Sequence, residues 1–203
     1  PILEGSAHIN FGLTSQFIAS YFADPKSEPV FPGSVSLNHA SADENPYWVD
    51  ARDRNAKTVD FPNCLNAYEP LRTVPNVRTF VKQVKAFRRF VHASLSDLNP
   101  ATDSCLHIAL GRCFSAIVYG QLVAENSVLA GTATPIVSGI FQALIEDLSA
   151  EVLLLSASLD AGSAHRSLLR RIMRVPRTNA CDVGAVSEII AARYVTGGEK
   201  VPL

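Results

Sequence analysis

The residues best suited to do chemistry lie close together near the start of the 203-residue chain, as Glu4, Gly5 and Ser6. A carboxylate becomes a general base near neutral pH when apolar surroundings raise its pKa, and Ile2 and Leu3 are apolar neighbours of Glu4. Gly5 allows backbone and ligand to approach closely. Ser6 and the N–H groups of a following helix can face a cofactor or its phosphates. These residue types suit proton abstraction beside a bound ligand, but three residues alone do not indicate it, and the case for it comes from the longer stretch of sequence around them.

Residues 1–9, Pro-Ile-Leu-Glu-Gly-Ser-Ala-His-Ile, resemble the sequence around the catalytic glutamate of acyl-CoA dehydrogenases. In that family the pattern apolar-x-Glu-Gly-Thr/Ser-x-x-Ile precedes the last helix of the common fold. The resemblance implies that Glu4 removes the α proton of an acyl thioester while the β hydrogen leaves as hydride to FAD. It also implies that Gly5 lies beside the thioester and that Ser6 replaces the usual Thr at the flavin. His8 stands where Gln, Asn or Glu is more usual.

The layout after this motif is similar to that of extended family members, such as the very-long-chain enzymes, which continue into a long linker and a second helical bundle. The resemblance implies that the flavin-binding fold belongs to an N-terminal portion or subunit outside this sequence, and that the substrate is an acyl-CoA or an acyl carrier protein. An oligomer is expected. The chain would then be a processed fragment, a split subunit or part of a longer chain.

A second interpretation stays open, in which Glu4-Gly5-Ser6 is only a turn with a helix cap, because short motifs recur by chance. The chain would then be a non-catalytic helical module that binds a partner or mediates oligomerisation. Flavin absorbance in the purified protein distinguishes the two interpretations.

Composition and cysteine spacing exclude several other classes of protein. The hydrophobic content of 47% is that of an ordinary globular protein. The formal net charge is −1, so nucleic acid is not expected as the main partner. The four cysteines form no C-x-x-C pair and lack a nearby histidine at metal-ligand spacing, which argues against a metal site. We therefore expect reduced thiols and a cytoplasmic location. No transmembrane segment is expected, since the uninterrupted apolar stretches are far shorter than the ~20 residues needed to cross a bilayer.

Two sets of basic residues follow nearly helical spacing. The first is Arg78, Lys82, Lys85 and Arg89, and the second is Arg166, Arg170, Arg174 and Arg177. Each stripe is suited to docking an acidic carrier protein, the phosphates of CoA or an anionic membrane face. Each is equally typical of a solvated helix face that pairs with acidic residues of another subunit. The four histidines outside the glutamate motif lie singly and are expected to be structural, namely His39, His92, His107 and His165.

The chain is predicted to be all-α, with three parts. Residues 1–22 carry the glutamate motif and the last helix of a dehydrogenase-like domain, and residues 23–75 form a proline-rich, irregular linker. Residues 76–203 form an antiparallel helical bundle. We expect the first helix and the linker aromatics to bury themselves against the other polypeptide that the resemblance implies.

Apolar spacing places the individual helices. The first is predicted from the repeat Ile9, Leu13, Phe17 and Tyr21. The bundle helices are predicted after Pro75 to about 98, at about 103–130, from Thr134 to Gly162, at about 163–175 and at about 182–195. Thr134 and Asp182 are predicted to cap the amino ends of their helices.

Overall fold

The structure is a computed structural model that describes residues 7–23, 61, 63–94, 104–159, 163–178 and 180–195. Every regular element in these ranges is a helix, which confirms the predicted all-α class. The order is α1 (Ala7–Thr14), a 3-10 turn (Ser15–Phe17), α2 (Ile18–Tyr21), a 3-10 turn (Asn66–Leu71), α3 (Pro75–Ser94), α4 (Ser104–Leu129), α5 (Thr134–Ser158), α6 (Ser163–Ile172) and α7 (Ala180–Val195).

The bundle helices form where their apolar stripes predict them. On α5 the six predicted core positions are all buried, namely Val137, Phe141, Leu144, Leu148, Val152 and Leu155. Aromatic rings fill the centre of the core, and the ring of Phe80 lies 5.4 Å from that of Phe141. Such large apolar side chains dominate core stability because each removes so much apolar surface from water.

Two helix caps differ from the sequence prediction. The residue before α5 is Ala133, which has no side-chain cap bond, so Thr134 is the first helical residue rather than the cap. Pro135 then lies in the first turn, where its missing N–H has no helical partner to lose. α7 begins at Ala180, which places Asp182 inside its first turn.

The turn between α4 and α5 is fixed by a glycine. Gly131 adopts a left-handed φ of 59°, which glycine reaches without strain. The backbone N–H of Thr132 donates to the carbonyl of Ser127 at 2.9 Å, and the N–H of Gly131 donates to that of Val128 at 3.3 Å. These bonds satisfy carbonyls at the end of α4 and let α5 return antiparallel to it.

The amino-terminal helix packs on the bundle of its own chain, contrary to the expectation that it buries its face against another polypeptide. α1 packs along α4, and Ile18, Tyr21 and Phe22 belong to the same core cluster as the bundle helices. The aromatic ring of Tyr21 lies 5.0 Å from that of Phe114. Phe61, from the predicted linker, packs 5.4 Å from Tyr21. The other linker aromatics named by the sequence, Phe31, Tyr47 and Trp48, lie outside the described residues.

The buried face of this segment also differs from the predicted repeat of four. Leu13 is 52% exposed, whereas Tyr21 of the same repeat is buried together with Ile18 and Phe22. The 3-10 turn at Ser15–Phe17 lies between them, and its three residues per turn shift the phase of the side chains after it relative to those before it.

α1 approaches α4 so closely because Gly111 has no side chain. A Cβ at position 111 would overlap the carbonyl group of Phe11. The guanidinium of the next residue, Arg112, lies over the Phe11 ring at 5.6 Å from its centroid, and it pairs with Glu151 at 3.7 Å. Through Phe11, Arg112 and Glu151, these contacts connect α1, α4 and α5.

We predict that Gly111→Ala displaces α1 from α4 and lowers the free energy of unfolding by about 1–3 kcal/mol, because the added methyl meets backbone that cannot rotate away. The matched control is Gly139→Ala in α5, where a Cβ meets nothing within 4 Å. That change should raise stability by up to about 1 kcal/mol through helix propensity. Urea unfolding measures both effects, and hydrogen exchange of residues 7–22 reports the displacement. Equal stability and unchanged exchange in the two variants would contradict the close contact.

Candidate functional site

The four residues that the sequence predicts as a site lie at the edge of the described region. Glu4, Gly5 and Ser6 are outside the described residues, and of His8 only the backbone is described, inside α1. Their mutual geometry therefore stays a prediction. The helix that follows them begins at Ala7, directly after Ser6, and has no acidic residue in its first turn. Unpaired backbone N–H groups of a first helical turn suit an anion or a hydrogen-bond acceptor.

A serine and a histidine meet where α1 and the adjoining 3-10 turn cross α4. Ser15 Oγ lies 2.8 Å from His107 Nδ1, and it donates to the carbonyl of Gly12 at 2.7 Å. A hydroxyl has only one proton to donate. When the Ser15 hydroxyl donates that proton to the Gly12 carbonyl, the hydrogen bond with His107 requires the N–H at Nδ1 to donate to Ser15 Oγ. In this arrangement the imidazole does not act as a base toward the serine, and the pair ties α1 to α4. The two residues are 92 positions apart, and no sequence signal indicates the contact.

A buried polar cluster lies beneath α2. The hydroxyl of Tyr21 donates to Gln121 Oε1, and Gln121 Nε2 donates to Glu125 Oε1 at 2.8 Å. Cys64 and Tyr68 are buried beside it. Burial raises the pKa of the hydroxyls of Tyr21 and Tyr68 and of the Cys64 thiol. The negative charge that Cys64 carries once it is ionised raises the pKa of both tyrosines further. These groups stay protonated and do not act as bases or nucleophiles near neutral pH.

Tyr68 differs from Tyr21 in its hydrogen bonding. Its side chain is 2% exposed, and its hydroxyl has no hydrogen-bond partner among the described residues. An unfolded tyrosine ionises near pH ~10, while the folded hydroxyl stays neutral. The stability linked to both tyrosines is therefore present below about pH 10 and is lost as the pH rises above it.

We predict opposite effects for two matched substitutions. Tyr68→Phe should keep or raise the free energy of unfolding, by up to about 2 kcal/mol, because it removes a buried hydroxyl without a partner. Tyr21→Phe should lower it by about 1–2 kcal/mol, because Gln121 Oε1 loses its donor. Urea unfolding at pH 7 measures both, and from pH 9 to 11 stability should fall less steeply in Tyr68→Phe than in the parent. A loss in Tyr68→Phe equal to that in Tyr21→Phe would mean that the Tyr68 hydroxyl has a partner.

The two predicted basic stripes converge in the structure. Four of their eight residues line one recess between α3 and α6, namely Lys82, Lys85, Arg89 and Arg174. Arg171 joins them, although the sequence prediction did not include it. The spacing along each helix was visible in the sequence, but the packing of α3 against α6 was not. Within the described residues, no group of three His, Cys, Asp or Glu side chains is arranged to hold a metal ion.

One described helix is long and apolar enough to cross a membrane by length and composition alone. It is Cys105–Leu129, and 50% of its most apolar window is buried inside the protein. Core helices of soluble proteins pass the same test, and Cys113, Phe114 and Ile117 of this helix belong to the core.

No protein-family model, curated protein sequence or solved structure matches the chain.

Proposed function

We propose that this chain is the C-terminal portion of a flavin-dependent oxidoreductase resembling the acyl-CoA dehydrogenases. Glu4 is the general base for α,β-dehydrogenation of an acyl thioester. The observation that carries the proposal is the order of the motif and its helix: Glu4-Gly5-Ser6 stands directly before a helix that begins at Ala7. This is the order that the family's glutamate motif and last helix have.

The residue types at the motif suit the reaction. Glu4 accepts the proton from the α carbon, and Gly5, without a side chain, lets the thioester lie against the backbone. The electron pair of the broken α C–H bond forms the double bond as the β hydrogen departs with its own pair. When bound, FAD supplies the acceptor for that hydride. Ser6 and His8 would hold the flavin, together with the N–H groups at the start of α1.

The packing of α1 supports a role for the bundle in fixing the position of the helix that follows Glu4. α1 is held to α4 at Gly111 and through the contact between Ser15 and His107. A general base needs its backbone fixed within a fraction of an ångström of the productive position. The remaining walls of the site would come from an N-terminal FAD-binding portion or subunit of the same enzyme. In this proposal the enzyme is a cytoplasmic oligomer that acts on an acyl-CoA or an acyl carrier protein.

A second candidate is a non-catalytic helical module for interaction or oligomerisation. It is favoured by an apolar face on α4, where Tyr119, Leu122 and Leu129 are 59%, 55% and 75% exposed. Their steps of three and seven residues place them on one side of the helix. Exposed apolar faces of this kind often mark interaction sites.

We predict that Glu4→Gln, made in the complete enzyme, slows substrate-dependent flavin reduction by several orders of magnitude while flavin stays bound. The amide keeps the shape of the side chain but cannot accept the proton. Rapid mixing with an acyl-CoA, followed by flavin absorbance, measures the rate. Glu188→Gln is the matched control, because Glu188 is exposed on α7, and it should leave the rate unchanged. An unchanged rate in Glu4→Gln would remove Glu4 from the mechanism.

A further inference from the structure

α3 and α6 enclose a recess of about 200 Å³ whose described lining is basic and apolar. Five of the lining residues carry a positive charge, and the other two are Ala86 and Leu168. The charged ones are Lys82, Lys85 and Arg89 from α3, and Arg171 and Arg174 from α6 and the segment that follows it.

The basic residues converge because α6 runs antiparallel to α3. The ring of His165, near the start of α6, lies 6.4 Å from that of Phe90 near the end of α3. The backbone N–H of Arg177, past the end of α6, donates to Asn76 Oδ1 at the start of α3 at 2.8 Å. Lys82, Lys85 and Arg89 are spaced by three and four residues, so they share one face of α3.

Two polar side chains, the buried Asn76 and the partly exposed Ser149, hold the segment after α6 in place. Asn76 Nδ2 donates to the carbonyls of Arg177 at 3.1 Å and of Ser138 at 3.0 Å. Ser149 Oγ accepts from the backbone N–H of Arg174 at 3.1 Å and lies 2.9 Å from its carbonyl oxygen. The segment carrying Arg174 is therefore fixed before any ligand arrives, which lowers the entropy lost on binding.

The charge of the recess is not balanced by its own walls. None of the described lining residues is acidic, and the five basic side chains form no ion pair within the described part of the chain. All five basic residues are exposed, so solvent and salt screen their mutual repulsion, but their combined positive potential attracts an anion to the recess. Arginine and lysine together are the usual partners of phosphate groups, through forked and point-charge contacts respectively.

The recess is partly open to solvent and has a volume of about 200 Å³, which leaves room for a small anion. A diphosphate carries enough acceptor oxygens to contact basic residues of both helices at once.

We propose that the recess between α3 and α6 is a binding site for a diphosphate group. The group would come from a soluble nucleoside diphosphate or from a lipid headgroup with neighbouring phosphates. This inference does not depend on the oxidoreductase proposal.

The test is titration of inorganic pyrophosphate into the purified full chain, followed by calorimetry at physiological salt. Lys85→Gln/Arg171→Gln removes one charge from each wall and should weaken the affinity at least about tenfold. The matched control is Arg78→Gln/Arg170→Gln, which removes two exposed charges from the same helices but outside the recess. It should lower the affinity much less than Lys85→Gln/Arg171→Gln does, because it removes the same net charge without removing a residue that lines the recess. Circular dichroism verifies that both variants fold.

Two results would overturn the proposal. One is the absence of pyrophosphate binding to the parent, and the other is an equal loss of affinity in the two double variants, which would indicate general attraction to a positive surface. A decrease in oligomer mass in Lys85→Gln/Arg171→Gln, with no pyrophosphate binding to the parent, would instead assign the recess to an acidic face of another subunit.

The source of the diphosphate is resolved by two further titrations. One titration tests whether ADP competes with pyrophosphate, and the other tests binding of phosphatidylcholine vesicles that contain phosphatidylinositol bisphosphate. Competition by ADP with no vesicle binding supports a soluble ligand. A lipid headgroup is supported if the protein binds the vesicles, if pyrophosphate displaces it from them, and if Lys85→Gln/Arg171→Gln abolishes the binding.

Discussion

The close contact between the backbone of Phe11 and Gly111 fixes where the amino-terminal helix lies. Only a residue without a side chain permits α1 to approach α4 this closely. Once α1 is there, Tyr21 and Phe22 reach the ring of Phe114 and join the core of the bundle. The sequence proposed to carry the general base, Glu4-Gly5-Ser6, directly precedes α1 in the chain.

The opposite side of the bundle depends on buried polar side chains rather than on shape. A buried amide without partners costs free energy, so it favours the helix arrangement in which partners are available. Gln83 donates to Ser149 Oγ at 3.0 Å and to the carbonyl of Ile145 at 3.3 Å, which fixes α3 against α5. Asn76 extends this network to the segment after α6. The basic recess is thus a consequence of hydrogen bonds that lie beneath it.

The sequence predicts the bundle well because its helices are long and strongly patterned. The bounds of α4 lie within one residue of the prediction, and all the predicted core positions of α5 are buried. The short segments were less predictable, because the 3-10 turn at Ser15–Phe17 puts the buried Ile18 and Phe22 out of phase with the exposed Leu13. Contacts between distant positions were not predictable, since nothing near Ser15 in the sequence points to His107. The Glu4 motif stays a sequence prediction, because its residues lie outside the described ranges.

The most direct test of the central proposal is to purify the protein from its natural source, under conditions that preserve complexes, and to record its absorbance together with the intact mass of each polypeptide. A flavoenzyme predicts a yellow preparation with a flavin spectrum. It also predicts that the flavin-binding domains are present, either on the same polypeptide or on a partner. A colourless protein of 21.9 kDa with no flavin and no partner would contradict the proposal and favour the helical module.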